Sequence, residues 1–236
     1  MKTLANYINE AYASISSPRW VRSSTSDELN NTDGNEHGFD YVDLGLPSGT
    51  VWATCNVGAD KPEDNGLLFQ FGHIDGYKYM DENHKFKTNA QNLEDGSIIE
   101  YAPITSSGRV YKKNEILDLD DDTAHINMGG KWRMPTNEQL KELYDNTTHR
   151  VETINGVQCM VFTSKINNKR LFVPFAGCWY NGVFGLSEAC AYIWSSQVHD
   201  SYEYFAYILR CESNSKTKVD YYFLSGTFSV RGVFVK

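Results

Sequence analysis

The side chains in this sequence best suited to covalent or metal chemistry are its five cysteines and six histidines. Cys55, Cys159, Cys178, Cys190 and Cys211 make an odd count with no CxxC pair, so they read as free core thiols rather than a zinc site or a disulfide frame. His37, His73, His84, His125, His149 and His199 stand at unrelated spacings and read as surface or hydrogen-bonded residues. Asp118, Asp120, Asp121 and Asp122 form the densest acidic run. Alternate carboxylates suit a hard cation such as calcium, but the glycine and distal glutamate of an EF-hand loop are missing. The run therefore reads as charge at a helix start followed by a solvated face. HExxH, a phosphate-cradling glycine loop and a GxSxG elbow are all absent. These residues predict a chain with no metal site, no cofactor and no catalytic centre.

Recognition chemistry is better represented. The last 62 residues carry seven Tyr, six Phe and two Trp, whereas the first 174 carry 17 aromatic residues in all, so any aromatic-rich surface is expected at the C-terminal end. Tyrosine offers rigid amphipathic contact area at low entropic cost, and its ring stacks on the apolar face of a sugar. The candidate ligand-binding residues are Tyr180, Asn181, Phe184, His199, Tyr202, Tyr204, Arg210, Asn214, Tyr221 and Tyr222. Strand alternation sets Tyr204, Ala206, Ile208 and Arg210 against Phe205, Tyr207, Leu209 and Cys211. The second set is expected to face inward, leaving Tyr204 and Arg210 outward. Trp132 and Trp194 are expected in the core. A formal net charge of -8 without a Lys/Arg cluster argues against a nucleic-acid groove. No apolar run approaches the roughly 20 residues that cross a bilayer, so no membrane insertion is expected.

The elements that must position these groups centre on Gly129-Gly130-Lys131-Trp132-Arg133-Met134-Pro135-Thr136. Two glycines give a tight turn, Trp132 an anchor, and Thr136 with Gln139 a capping box for a helix over Asn137 to Asn146. Strands are expected over Phe39–Leu44, Thr50–Val57, Leu67–Phe71, Val151–Thr163, Lys169–Phe175, Tyr192–Ser196, Phe205–Cys211, Val219–Leu224 and Ser229–Val235. Asn167-Asn168 is expected to turn a hairpin, residues 72–110 to form a long insertion, and Val230–Val235 to run centrally in its sheet. Residues 1–16 place Leu4, Tyr7, Ile8, Ala11, Tyr12 and Ile15 on one face of an amphipathic helix too short to be stable alone, so it needs a surface to lie against. Residues 17–38 read as a linker.

Four ordered motifs run through these elements: Tyr41-Val-Asp-Leu-Gly-Leu-Pro-Ser-Gly-Thr-Val-Trp-Ala-Thr-Cys-Asn-Val-Gly-Ala59, Gly129 to Thr136, Ile193-Trp-Ser-Ser196 and Ser229-Val-Arg-Gly-Val233. Together they resemble a family of C-type-lectin-like domains abundant in gut Bacteroidetes and their tailed phages, distant relatives of the formylglycine-generating-enzyme fold. The sequence departs from the family at Gly232, where Pro is usual, and at Cys178 and Cys190. The resemblance implies an α+β domain over residues 39–236 whose first and last strands pair, with a capped central helix and a loop-rich half. It implies a phage virion structural protein, a fibre or decoration, displaying that domain for adhesion to a host surface glycan or protein. Asn6, Asn9 and Glu10 interrupt the first apolar stretches, so no export signal is expected. That suits a protein assembled in the host cytoplasm and exposed on the virion after lysis. The N-terminal helix would dock on capsid or tail proteins, and a fibre would be a homo-oligomer. The alternatives are a virion protein with no ligand, a bacterial surface adhesin, and an enzyme like the sulfatase-activating relatives, whose cysteine spacing Cys178, Cys190 and Cys211 do not reproduce.

Overall fold

The computed structural model describes residues 32–78, 91–92, 98–99, 104–180, 183–185 and 188–236. The expected helix over residues 1–16, with Leu4, Tyr7, Ile8, Ala11, Tyr12 and Ile15, lies outside them, as does most of the expected linker. The first strands are β1 (Gly34–Glu36), β2 (Phe39–Val42), β3 (Thr50–Ala53) and β4 (Leu67–Gln70). Three two-residue strands follow, β5 (Tyr77–Lys78), β6 (Gln91–Asn92) and β7 (Ile98–Ile99), and then helices α1 (Thr123–Met128) and α2 (Asn137–Asn146). The second half is nearly all β: β8 (Thr147–Ile154), β9 (Val157–Ser164), β10 (Arg170–Pro174), β11 (Cys178–Tyr180), β12 (Val183–Gly185) and β13 (Cys190–Val198). β14 (Phe205–Glu212), β15 (Thr217–Phe223), β16 (Thr227–Ser229) and β17 (Val233–Val235) complete it. The class is α+β and mainly β. Among the described residues, no helix is long and apolar enough to cross a membrane.

The largest sheet runs β12-β11-β16-β13-β14-β15, with β4 attached to β16 and β5 to β4. A second sheet is β1-β2-β3-β17, a third β10-β9-β8, and β6 pairs with β7. Consecutive residues of the central strands feed opposite cores, because strand side chains alternate. Tyr192 and Trp194 of β13 join one core with Phe69, Phe71, Trp132 and Phe228, while Ala191 and Ile193 join a second with Trp52, Leu140, Leu143 and Phe162. The same split divides Val51 from Trp52 on β3 and Phe234 from Val233 on β17. Trp132 and Trp194 are fully buried, and their indole N–H groups donate to the carbonyls of Glu36 and Phe69, both at 2.9 Å.

The expected helix start is present in full: the Thr136 hydroxyl accepts from the Gln139 N–H and the Gln139 side chain accepts from the Thr136 N–H. Several expectations are corrected. Residues 34–36, expected as linker, form β1, paired with β2. They are held there because Trp132 donates to Glu36 and the His37 ring lies 2.7 Å from the Met128 carbonyl. Gly129 is needed beneath them, since a Cβ there would come within 2.5 Å of the His37 ring. The last strand pairs with β3, not with the first strand of the domain. The run from Val151 to Thr163 is two strands turned at Asn155-Gly156, whose positive φ values of 48° and 87° are those of a two-residue hairpin turn. Val233–Val235 lies at the end of its sheet rather than centrally, with a single bridge to Arg133 beyond it. Both faces of β14 are covered along part of its length: Ala206 and Ile208 enter one core and Leu209 and Cys211 the other, while Phe205 and Tyr207 are only half-buried.

Candidate functional site

The β14–β15 ladder sets Phe205 opposite Phe223, Tyr207 opposite Tyr221 and Leu209 opposite Val219, all on one face of the sheet. Leu209 lies in the core that α2 caps with Leu140 and Leu143, and Val219 packs against it. Lys141 of α2 reaches towards the next pair, its Nζ 5.9 Å from the Tyr207 ring centroid. Beyond that point the face stays aromatic while its exposure rises, and it forms a shelf. The Phe205 and Phe223 rings lie 4.2 Å apart, and Tyr221 meets Phe205 edge-on at 5.4 Å.

The turn after β13 closes the shelf. The His199 N–H donates to the Phe205 carbonyl at 2.8 Å, and Nδ1 accepts from the Ser201 N–H at 3.0 Å. That bond assigns the neutral ring's proton to Nε2. The imidazole stacks on Tyr202 at 5.1 Å, lies 4.8 Å from Tyr207 and meets Tyr221 at 4.5 Å. His199 is only 9% exposed, but Tyr202, Tyr204 and Tyr221 are 52%, 42% and 41% exposed. The Tyr202 and Tyr221 rings lie 5.9 Å apart, so two exposed aromatic surfaces adjoin here and make this end of the sheet the candidate contact site. Asp200 borders the shelf, with the Ser201 hydroxyl holding its carboxyl below the usual range.

Two residues from Tyr202 along the chain, Tyr204 enters a cavity of about 220 Å³. Buried Phe71, Tyr111 and Leu224 form its floor, with Thr105 beside them; exposed Val110, Lys112 and Glu203 stand at its rim. The loop carrying Thr105 and Tyr111 is organised by buried Asp121, which accepts from the Thr105 and Ser107 hydroxyls, the Ser107 N–H and the Tyr111 hydroxyl. Burial alone would raise the Asp121 carboxyl, but these four bonds outweigh it and hold the group below the ordinary value. Tyr111 is pushed up to about 12, chiefly by burial.

No family model, curated protein or solved structure matches this chain. The shelf and the pit therefore stand on their own geometry.

Of the residues expected to bind, His199, Tyr202 and Tyr221 come together, whereas Tyr204 lies apart from them, beside Leu224 at the cavity on the other face of the ladder. Tyr222 does not join them: it turns to the opposite face, edge-on to Phe228 at 5.1 Å and 6.2 Å from Tyr192. Arg210 is engaged between Glu212 at 2.8 Å and Asp220 at 3.8 Å. It sits about 17 Å along β14 from Phe205, taking the usual rise per residue. Asn214 belongs to the far turn of that hairpin, where its carboxamide oxygen accepts from the Lys216 N–H. Asn181 and the side chains of Tyr180 and Phe184 lie outside the described residues. The shelf members Phe205 and Tyr207 were expected inward, and alternation alone could not reveal that α2 stops short of them.

The acidic run is a helix start but not a solvated face: Asp118 and Asp120 are exposed, whereas Asp121 and Asp122 are buried and used as hydrogen-bond acceptors. Asp122 caps α1 by accepting from the His125 N–H at 2.9 Å, and it also accepts from the Met134 N–H at 3.0 Å. Asp118 pairs with Arg109. Among the described residues, no group of three or more His, Cys, Asp or Glu is placed to hold a metal ion. All five cysteines are free, four of them buried. Burial raises every thiol, Cys159 and Cys178 to about 12.

Proposed function

We propose that this chain is an adhesion protein of a phage virion, a fibre or decoration subunit whose C-type-lectin-like head grips a host surface glycan or protein. The observation that carries the reading is the exposed shelf of Tyr202 and Tyr221 around the His199 ring. The capped helix behind the Trp132 turn supports the lectin-like head. The buried, protonated thiols favour gripping over catalysis. In this reading residues 1–16 dock on capsid or tail proteins, and a homo-oligomer multiplies weak contacts into useful avidity.

The test is binding of the full chain to host cells and to a glycan array. Tyr202→Ala and Tyr221→Ala should each weaken host-cell binding about tenfold, as loss of a tyrosine anchor does, with thermal stability unchanged. Unaltered binding by both variants would remove the shelf from the proposal. Virion placement has its own check: cryo-microscopy of the parent particle that found no copy of the chain would end it.

A further inference from the structure

We infer that the cavity beside Tyr204 receives one apolar side chain of a protein, so that the partner of this surface is a protein rather than a glycan. This rests on the adhesion reading above and narrows its ligand class. The polar atoms at the floor of the cavity are the first ground for this. Tyr111 and Thr105 are the buried lining residues with side-chain hydroxyls, and both hydroxyls are already committed. The Tyr111 hydroxyl donates to Asp121 at 3.0 Å and accepts from the Asp118 N–H at 2.9 Å. Thr105 Oγ1 lies 2.8 Å from Asp121 Oδ2 and 2.9 Å from the Arg109 carbonyl. A sugar pressed onto Phe71 and Leu224 would bury hydroxyls with no free partner at the floor, and unpaired buried polar groups oppose binding. An aliphatic or aromatic side chain carries no such penalty there.

Size agrees with this. About 220 Å³ is below the range of about 300–1,000 Å³ found for pockets that enclose whole small ligands, and it suits a single anchor residue. Charge then selects the flanks of that anchor. Lys112 and Glu203 are exposed at the rim, and neither forms an ion pair among the described residues. A carboxylate on one side of the anchor and a base on the other would complement them, a pattern that a protein surface offers and a neutral glycan does not.

The experiment is saturation-transfer NMR on the full chain with N-acetyl-tryptophanamide, N-acetyl-leucinamide and methyl α-D-glucopyranoside. It is repeated with Val110→Asp, which sets a charge at the rim on a residue 56% exposed and therefore outside the core. Both amides should receive saturation, with affinity about tenfold lower in Val110→Asp. Sugar binding that depends on Val110, amide binding that ignores the substitution, or no amide binding would each overturn the inference. Host-cell binding separates the two readings. If Tyr202→Ala and Tyr221→Ala weaken it while Val110→Asp does not, the anchor is refuted and adhesion through the shelf stands. If all three variants bind as the parent does, both shelf and anchor are refuted, and a parent chain that binds no host cell ends the adhesion reading itself.

Discussion

Arg231 is fully buried, yet its guanidinium has no carboxylate partner among the described residues. It donates instead to Asn56 Oδ1 and to the carbonyls of Ala53, Thr54 and Phe172, at 2.7–3.1 Å. Burial pulls it down to about 10, so it stays charged at neutral pH, and the rigid fork ties the end of β3 to β10. Its neighbour Gly232 is fixed by space, because a Cβ there would come within 2.7 Å of Met128 Sδ and 2.9 Å of Trp132. The cysteines show the same dominance of burial over reactivity. A raised thiol is protonated at neutral pH, and the thiolate is the nucleophile. An Ellman titration of the native chain at neutral pH should therefore leave the buried thiols unmodified, with half-buried Cys55 alone open to slow reaction, and unfolding should release all five. Rapid labelling of Cys178 or Cys190 in the folded chain would reopen the catalytic alternative.

Helix α2 shows how an element acquires its limits from its own residues. Thr136 and Gln139 close its first turn, and Leu140 and Leu143 bury one stripe against β13, β14 and β15. At the other end the Thr147 hydroxyl donates to the Leu143 carbonyl at 2.6 Å and the Asn146 carboxamide to the Glu142 carbonyl at 2.8 Å. The helix ends satisfied, and β8 starts without a loop. Thr136→Ala should cost about 1 kcal/mol of stability through loss of the cap, read by denaturant unfolding. A smaller effect would mean that tertiary contacts alone hold the helix. The β8–β9 hairpin is less legible. Its Asn155-Gly156 turn consumes only two residues, so the strand-rich residues on both sides merge into one apparent run.

Across the whole molecule, β13 is the element that joins the parts. All nine of its residues are buried, it pairs with β14 and β16, and its alternating side chains hold the two cores together. Loss of β13 would therefore require both cores to open at once. Its amide hydrogens should exchange only through global unfolding, the slowest in the chain, whereas amides of 200–204 in the shelf turn should exchange through local opening. Hydrogen exchange with mass spectrometry distinguishes these, and β13 amides exchanging ahead of global unfolding would contradict the two-core account. The arrangement suits adhesion mechanically, because the tyrosines project from the end of a sheet whose interior is fixed.

Local chemistry was readable in the residues themselves. The Thr136–Gln139 box, the buried Trp132 and Trp194 and the free thiols depend on neighbours in the chain or on side-chain size. Which faces were covered did not follow from sequence. Tyr222 and Tyr221 are adjacent and chemically identical, yet one meets Phe228 and the other meets water, because one side of β15 faces the core of Phe228 and the other runs past the end of helix α2. Arg210 looked outward by alternation and is held between Glu212 and Asp220. The cavity is built from Phe71, the 105–112 loop, Tyr204 and Leu224, segments far apart in the chain. Alternation assigns a side chain to a face. Only the tertiary contacts decide whether that face meets another layer or the solvent.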